Sequence, residues 1–205
     1  LCKDSDYHLY MILLASISIL LHKYSLSKDI IIGSPGFRSN SNSKKLHNLL
    51  FLRNSINPES SIKDVLLNVQ QTVIEANENQ HYPFHSLLEK IGKTLGNDKK
   101  RLLYETVILL ENIQDIDLIE NLEWNFLFVF NKNSDKIDFT LYYNSNLFES
   151  ITAERISNHL VTIFEKITSF IDIKLNKLTI LSEAEFKEIL HYSNGITEDY
   201  SSELY

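Results

Sequence analysis

The chain is predicted to adopt an α/β fold, a mixed β-sheet with helices packed on it. Three observations carry that expectation. Segments of helical and strand period alternate along the 205 residues. The helix candidates each carry an apolar face, and the strand candidates are short β-branched or aromatic runs bounded by Gly, Pro or Asn. With 43% hydrophobic residues, 11 Phe and 10 Tyr, the chain can also bury a real core.

Taken in order, residues 7–24 read as a mostly buried helix and Asp29–Gly33 (DIIIG) as a buried strand stopped by Gly33 and Pro35. His47–Ile56 is a second strand, ended by Asn57 and Pro58. Ser61–Gln80 is the clearest helix: Ser61 and Asp64 have the spacing of a capping box, and Ile62, Val65, Leu66, Val69, Val73 and Ile74 recur at helical spacing. Pro83 ends it, and a short helix follows over Phe84–Lys93. Tyr104–Leu110 reads as a strand. Leu122–Phe130 and Lys136–Tyr143 read as a hairpin whose loop is Asn131–Asp135. Thr152–Phe170 is a second long amphipathic helix, and Ser182 with Glu185 caps a last one ending near His191. Tyr192–Tyr205 is polar and aperiodic, as a linker would be.

Composition excludes several function classes. A net charge of -7 leaves no electrostatic footprint for nucleic acid, and Lys and Arg are scattered rather than gathered into a basic membrane-binding face. The apolar run Leu9–Leu21 is about 13 residues long, too short to span a bilayer, and Asp4 and Asp6 before it have the wrong charge for a signal peptide. A cytoplasmic protein without a nucleic-acid or membrane partner is expected. The single cysteine, Cys2, supports neither a disulfide framework nor a multi-cysteine zinc site.

Local motifs supply no complete active site. His81 and His85 are four apart, but Pro83 between them disfavours a regular helix and no third ligand is near in sequence, so no metal is expected. There is no GxSxG elbow, and Gly33-Ser34-Pro35-Gly36 lacks the lysine and the glycine spacing of a phosphate loop.

Several segments nevertheless resemble, in order, the condensation domain of nonribosomal peptide synthetases. Tyr10–Arg38 is similar to the family's "LLAa...LL.rytgq.DiviGtPvagR", with one residue fewer before Arg38. Asn48–Arg53 (NLLFLR) resembles the end of "GxFVNTLPLR", and Asn79–His85 (NQHYPFH) resembles "HQDYPFE". Asn97–Tyr104 matches "RDxSRNPLF" loosely, keeping Asp98 and Arg101. The strand ending at Asn112 parallels "vmfvlqN", and Tyr143–Arg155 parallels "YntdLFd..Ti.R". Leu178–Leu190 with Asn194 resembles the stretch that leads into an adenylation domain.

The resemblance implies a lobe of the chloramphenicol-acetyltransferase-like superfold. In that family two such lobes enclose the site where an acceptor amine attacks a donor thioester, both held on carrier-protein phosphopantetheine. The chain itself then binds no cofactor directly. The family's HHxxxDG motif belongs to the first lobe and has no counterpart here, so residues 1–181 are expected to be the C-terminal lobe and 182–205 the final helix and linker toward an adenylation domain. Alone, the chain is expected to be inactive, with no catalytic residue of its own. Its implied partners are the N-terminal lobe of the same domain, peptidyl carrier proteins and the adjacent adenylation domain.

By the same resemblance Arg53 would pair with the Asp of HHxxxDG, and Asn112 would face the tunnel. Gly33, Pro35, Arg38, Asn48, Gln80, Pro83, Phe84 and Arg101 match motif positions of architectural character. The loop 39–47 is shorter than usual, Lys-Lys-Leu replaces the Gly-x-Phe before Asn48, Phe51 stands where Pro is typical, and Asn125 replaces the Asp of an "FDL" segment. Condensation, cyclisation and epimerisation subtypes stay open on these departures. Two other functions stay open too: a non-catalytic docking or scaffold lobe, and a coenzyme A-dependent acyltransferase lobe.

Overall fold

The computed structural model describes residues 5–38, 49–83, 86, 90, 104–119, 123–134 and 136–193. Helix α1 (Asp6–Ser25) leads into strand β1 (Asp29–Pro35), which pairs with β2 (Leu49–Ser55); helix α2 (Ile62–Glu78) follows. Strands β3 (Thr106–Leu110), β4 (Phe126–Asn133) and β5 (Lys136–Tyr143) come next, then helices α3 (Ser150–Ser169) and α4 (Glu183–Ser193). The strands form one sheet in the order β2-β1-β3-β4-β5. β1, β3 and β4 run parallel, and β2 and β5 flank them antiparallel, so the sheet is mixed as the alternating pattern predicts.

The helices lie on one face. α1 is buried nearly all round, from Leu9 and Tyr10 through Leu20, because it is wedged between the sheet and both α2 and α3. Ile30, Ile32, Leu50, Leu52, Ile108, Leu110, Phe128 and Phe130 meet it from the sheet. Each of these side chains, fully buried, contributes about 1.5–3 kcal/mol of transfer free energy. The opposite face carries a smaller cluster of Leu49, Tyr104, Val107, Leu109, Leu127 and Val129, with Ile119 and Trp124 against it. Gly33 sits on that second face, where an added Cβ would lie 2.9 Å from the Tyr104 ring. A glycine is needed there for close approach.

Several expectations need adjustment at their ends. β1 continues through Gly33 to Pro35, because Ser34 and Pro35 still pair with Leu50 and Leu49; the missing amide of proline is tolerated at a strand end. Asn131–Asn133, expected in the hairpin loop, belong to β4, and Asn133 stands opposite Lys136. The β4–β5 ladder is made by backbone groups, so it continues through these polar residues past Phe130, the last core residue of β4. α2 begins with the capping box read from the sequence: the Asp64 amide donates to Ser61 Oγ at 3.2 Å and the Ser61 amide to Asp64 Oδ2 at 2.8 Å. The helix expected over Phe84–Lys93 falls largely outside the described residues. No helix among those described is long and apolar enough to cross a membrane.

Candidate functional site

The motif residues separate into two groups at opposite ends of the parallel pair β1 and β3. Arg53 lies near the start of β1, opposite Ile31, while Gly33 is level with Val107 and Asn112 follows the end of β3. The strand rise puts roughly 15 Å between the Arg53 level and the end of β3.

At the first end, the antiparallel register sets Asp29 across from Ser55 and diagonal to Arg53, on the face without helices. Arg53 Nε donates to Asp29 Oδ1 and Nη2 to Asp29 Oδ2, both at 2.8 Å. The guanidinium lowers the Asp29 carboxyl below its ordinary value, chiefly through these hydrogen bonds. The pair is open to solvent, with the two side chains 71% and 50% exposed. Beside it is a cleft of about 540 Å³ lined by Tyr24, Asp29, Ile31, Tyr104 and Glu105 among others. A guanidinium held this way can still receive a second planar anion on its outer edge.

At the other end the innermost polar groups are buried. The Gln114 side chain is fully enclosed: Nε2 donates to Ser34 Oγ at 2.7 Å and to the Pro35 carbonyl at 2.6 Å, and Oε1 accepts from the Leu110 amide at 2.9 Å. Tyr10 OH shares a 2.6 Å hydrogen bond with Ser34 Oγ, and burial raises the Tyr10 phenol well above its usual range. Around this knot the Arg38 amide donates to the Ile113 carbonyl, and Arg38 Nε meets Asp115 Oδ1 at 2.7 Å. Gln80 Oε1 accepts from the Phe37 amide at 3.1 Å. Asn112 takes both backbone polar groups of Lys132, donating to its carbonyl at 2.9 Å and accepting from its amide at 2.7 Å. Pro35, Arg38, Gln80 and Asn112 thus converge, and they brace the segments leaving β1 and β3. Pro83 is exposed; Asn48, Phe84 and Arg101 lie outside the described residues.

Sequence alone gives no site role to Gln114, Ser34, Tyr10 or Asp29: Asp29 reads only as the start of a strand, and Ser34 only as part of a loop unlike a phosphate loop. A third polar chain was also missed: Tyr24 OH lies 2.8 Å from His159 Nδ1, and His159 Nε2 lies 3.0 Å from Glu185 Oε1. It ties α1, α3 and α4 together. The Glu185 carboxyl is lowered, first by the Ser182 amide that caps α4 and then also by His159. Among the described residues, no group of three or more His, Cys, Asp and Glu could hold a metal ion.

The comparisons with known proteins agree with this architecture. A family model described as "Condensation domain" matches residues 1–190. The chain belongs to the condensation-domain family. It is 32% identical to Gramicidin S synthase 2 of Brevibacillus brevis, over 98% of this chain and 5% of that protein. It is 31% identical to Bacitracin synthase 3 of Bacillus licheniformis, over 97% and 3%. Among solved structures, the starter condensation domain of rhizomide synthetase superposes with a TM-score of 0.68 at 12% identity, covering 89% of this chain and 47% of that one. A holo four-domain nonribosomal peptide synthetase bound to AMP and glycine gives a TM-score of 0.71 at 14% identity, over 87% and 16%. This condensation-domain chain therefore spans just under half of that solved starter domain and a few per cent of the synthetases it resembles in sequence.

Proposed function

We propose that residues 1–181 are the C-terminal lobe of a nonribosomal peptide synthetase condensation domain and that 182–205 lead toward an adenylation domain. The observation that supports this most is the family match across residues 1–190, joined to a span of just under half of the solved starter condensation domain. The reaction is amide formation between two carrier-bound substrates. The amine nitrogen of an aminoacyl thioester attacks the donor thioester carbonyl; the C–N bond forms, the C–S bond breaks, and the nitrogen's proton leaves as the phosphopantetheine thiol is released. Tethering both substrates makes the encounter effectively unimolecular, which supplies much of the acceleration. The N-terminal lobe contributes the histidine that acts at the amine.

This lobe contributes a wall and an anchor. Arg53 presents its guanidinium to a carboxylate of the facing lobe and so fixes the loop carrying that histidine. Asn112 bears on the tunnel through the backbone it holds, since its amide is committed to Lys132. The parent synthetase carrying Arg53→Ala tests the reading: amide formation should fall at least tenfold while aminoacyl loading of the carriers, followed by mass spectrometry, is unchanged. Undiminished peptide formation would instead favour a docking or scaffold lobe. Turnover of free coenzyme A thioesters without any carrier protein would favour the acyltransferase alternative. Residues 1–205 alone should form no amide.

A further inference from the structure

We propose that Asp29 is a positioning residue that aims Arg53 outward, toward a carboxylate that approaches from beyond this lobe. The inference rests on the proposed role of Arg53 and adds to it a residue which that role does not contain. A guanidinium carries five N–H donors in a rigid fork. Asp29 engages one edge only, through Nε and Nη2. The other edge, formed by Nη1 and the second Nη2 hydrogen, faces solvent on a side chain that is 71% exposed.

The geometry explains why this edge points outward. β2 is a terminal strand of the sheet, and Arg53 and Asp29 lie on the face that the helices leave open. Ile31, directly opposite Arg53, and Phe51, two residues before it on β2, are partly buried on that same face against Tyr104. The pair therefore stands beside a floor of apolar side chains. An isolated arginine on an edge strand would sample many rotamers and would lose that freedom each time it met a partner. A bidentate carboxylate already removes much of it, so the second carboxylate meets a guanidinium that is oriented in advance. Surface pairs of this exposure add little to folding, which leaves orientation as the effect of consequence.

A double-mutant cycle in the intact parent synthetase tests the proposal, with the rate of amide formation read after both carriers are loaded. Asp29→Asn should slow amide formation about fivefold to tenfold without changing loading or the melting temperature, and Asp29→Glu should recover part of the loss. In the Arg53→Ala background, Asp29→Asn should cause no further loss, because the residue it orients is gone. A wild-type rate in Asp29→Asn, together with a slow Arg53→Ala, overturns the positioning role while leaving the role of Arg53 intact. Fully additive losses also overturn it, since Asp29 would then act independently of Arg53. A wild-type rate in Arg53→Ala removes the underlying reading itself.

Discussion

The two ends of the parallel strands β1 and β3 use polar side chains in opposite ways, neutral groups at one end and a charged pair at the other. Where the strands end, Tyr10, Ser34 and Gln114 are enclosed and satisfy one another and the backbone. Where they begin, Asp29 and Arg53 are exposed, and part of the arginine's donor set is unspent. Buried polar groups are costly unless every partner is present, so the enclosed Gln114 end is intolerant of change. Exposed charges contribute little to stability and keep their capacity for a new partner. Density of hydrogen bonds therefore marks structure at the enclosed end, while the exposed end keeps donors in reserve, as the role proposed for Arg53 requires.

The largest expected effect lies at the closed end. Gln114→Leu keeps the volume but leaves the Leu110 amide without its buried acceptor and takes one of their hydrogen bonds from Ser34 Oγ and the Pro35 carbonyl. A loss of about 3 kcal/mol or more should follow, read as a lower urea midpoint with an unchanged m-value. A loss under about 1 kcal/mol would mean that water enters and that the two ends differ less than their geometry implies.

An intermediate case is the Tyr24–His159–Glu185 chain, which has a buried centre and an exposed rim. His159→Ala should weaken the docking of α4 by about 1–2 kcal/mol, seen as faster amide exchange within Glu183–Ser193 while α1 and the central strands stay protected. Equal acceleration throughout would show that α4 is integral to the lobe rather than clasped onto it.

How much of this was legible in sequence follows from the range of each interaction. The α2 cap was readable because Ser61 and Asp64 are three residues apart, and β5 because an aromatic-rich run just beyond a polar turn is a local hairpin signal. The fold class was readable because amphipathic periods report a core without naming partners. Gln114 was not: it stands in a polar stretch (ENIQDID), and its burial is decided by Ser34, 80 residues away. Asp29 likewise looked like a polar residue opening a strand, and only the register of β1 against β2 sets it diagonal to Arg53. Arg53 itself was found through resemblance to a family motif, which describes a partner on another lobe and is silent about the partner within this one.

A smaller effect is expected where α1 turns into β1. Leu26 adopts φ 56°, the only positive φ of a non-glycine residue among the described residues, and it is 79% exposed. A left-handed leucine is strained by about 1–2 kcal/mol, and glycine at this C-terminal cap relieves that at the cost of a more flexible unfolded chain. Leu26→Gly should therefore raise stability by about 0.5–1 kcal/mol in thermal unfolding. A destabilisation would mean that the turn is held by a contact of the leucine itself.

The smallest effect expected on stability concerns the Arg53–Asp29 pair. The folded Asp29 carboxyl lies below its ordinary value, so whatever stability it adds is present above the unfolded value, near pH 4, and is lost as the pH falls through the lower folded one. Because the pair is half or more exposed, salt and water screen it. Asp29→Asn should leave the unfolding midpoint at pH 7 unchanged within error and should slightly flatten its decline below about pH 4. The same substitution should slow amide formation in the parent synthetase. That separation of stability from rate is what distinguishes this end of the sheet from the Gln114 end, where the two must fall together. A marked fall in the midpoint at pH 7 would place Asp29 among the structural residues and remove the contrast between the two ends.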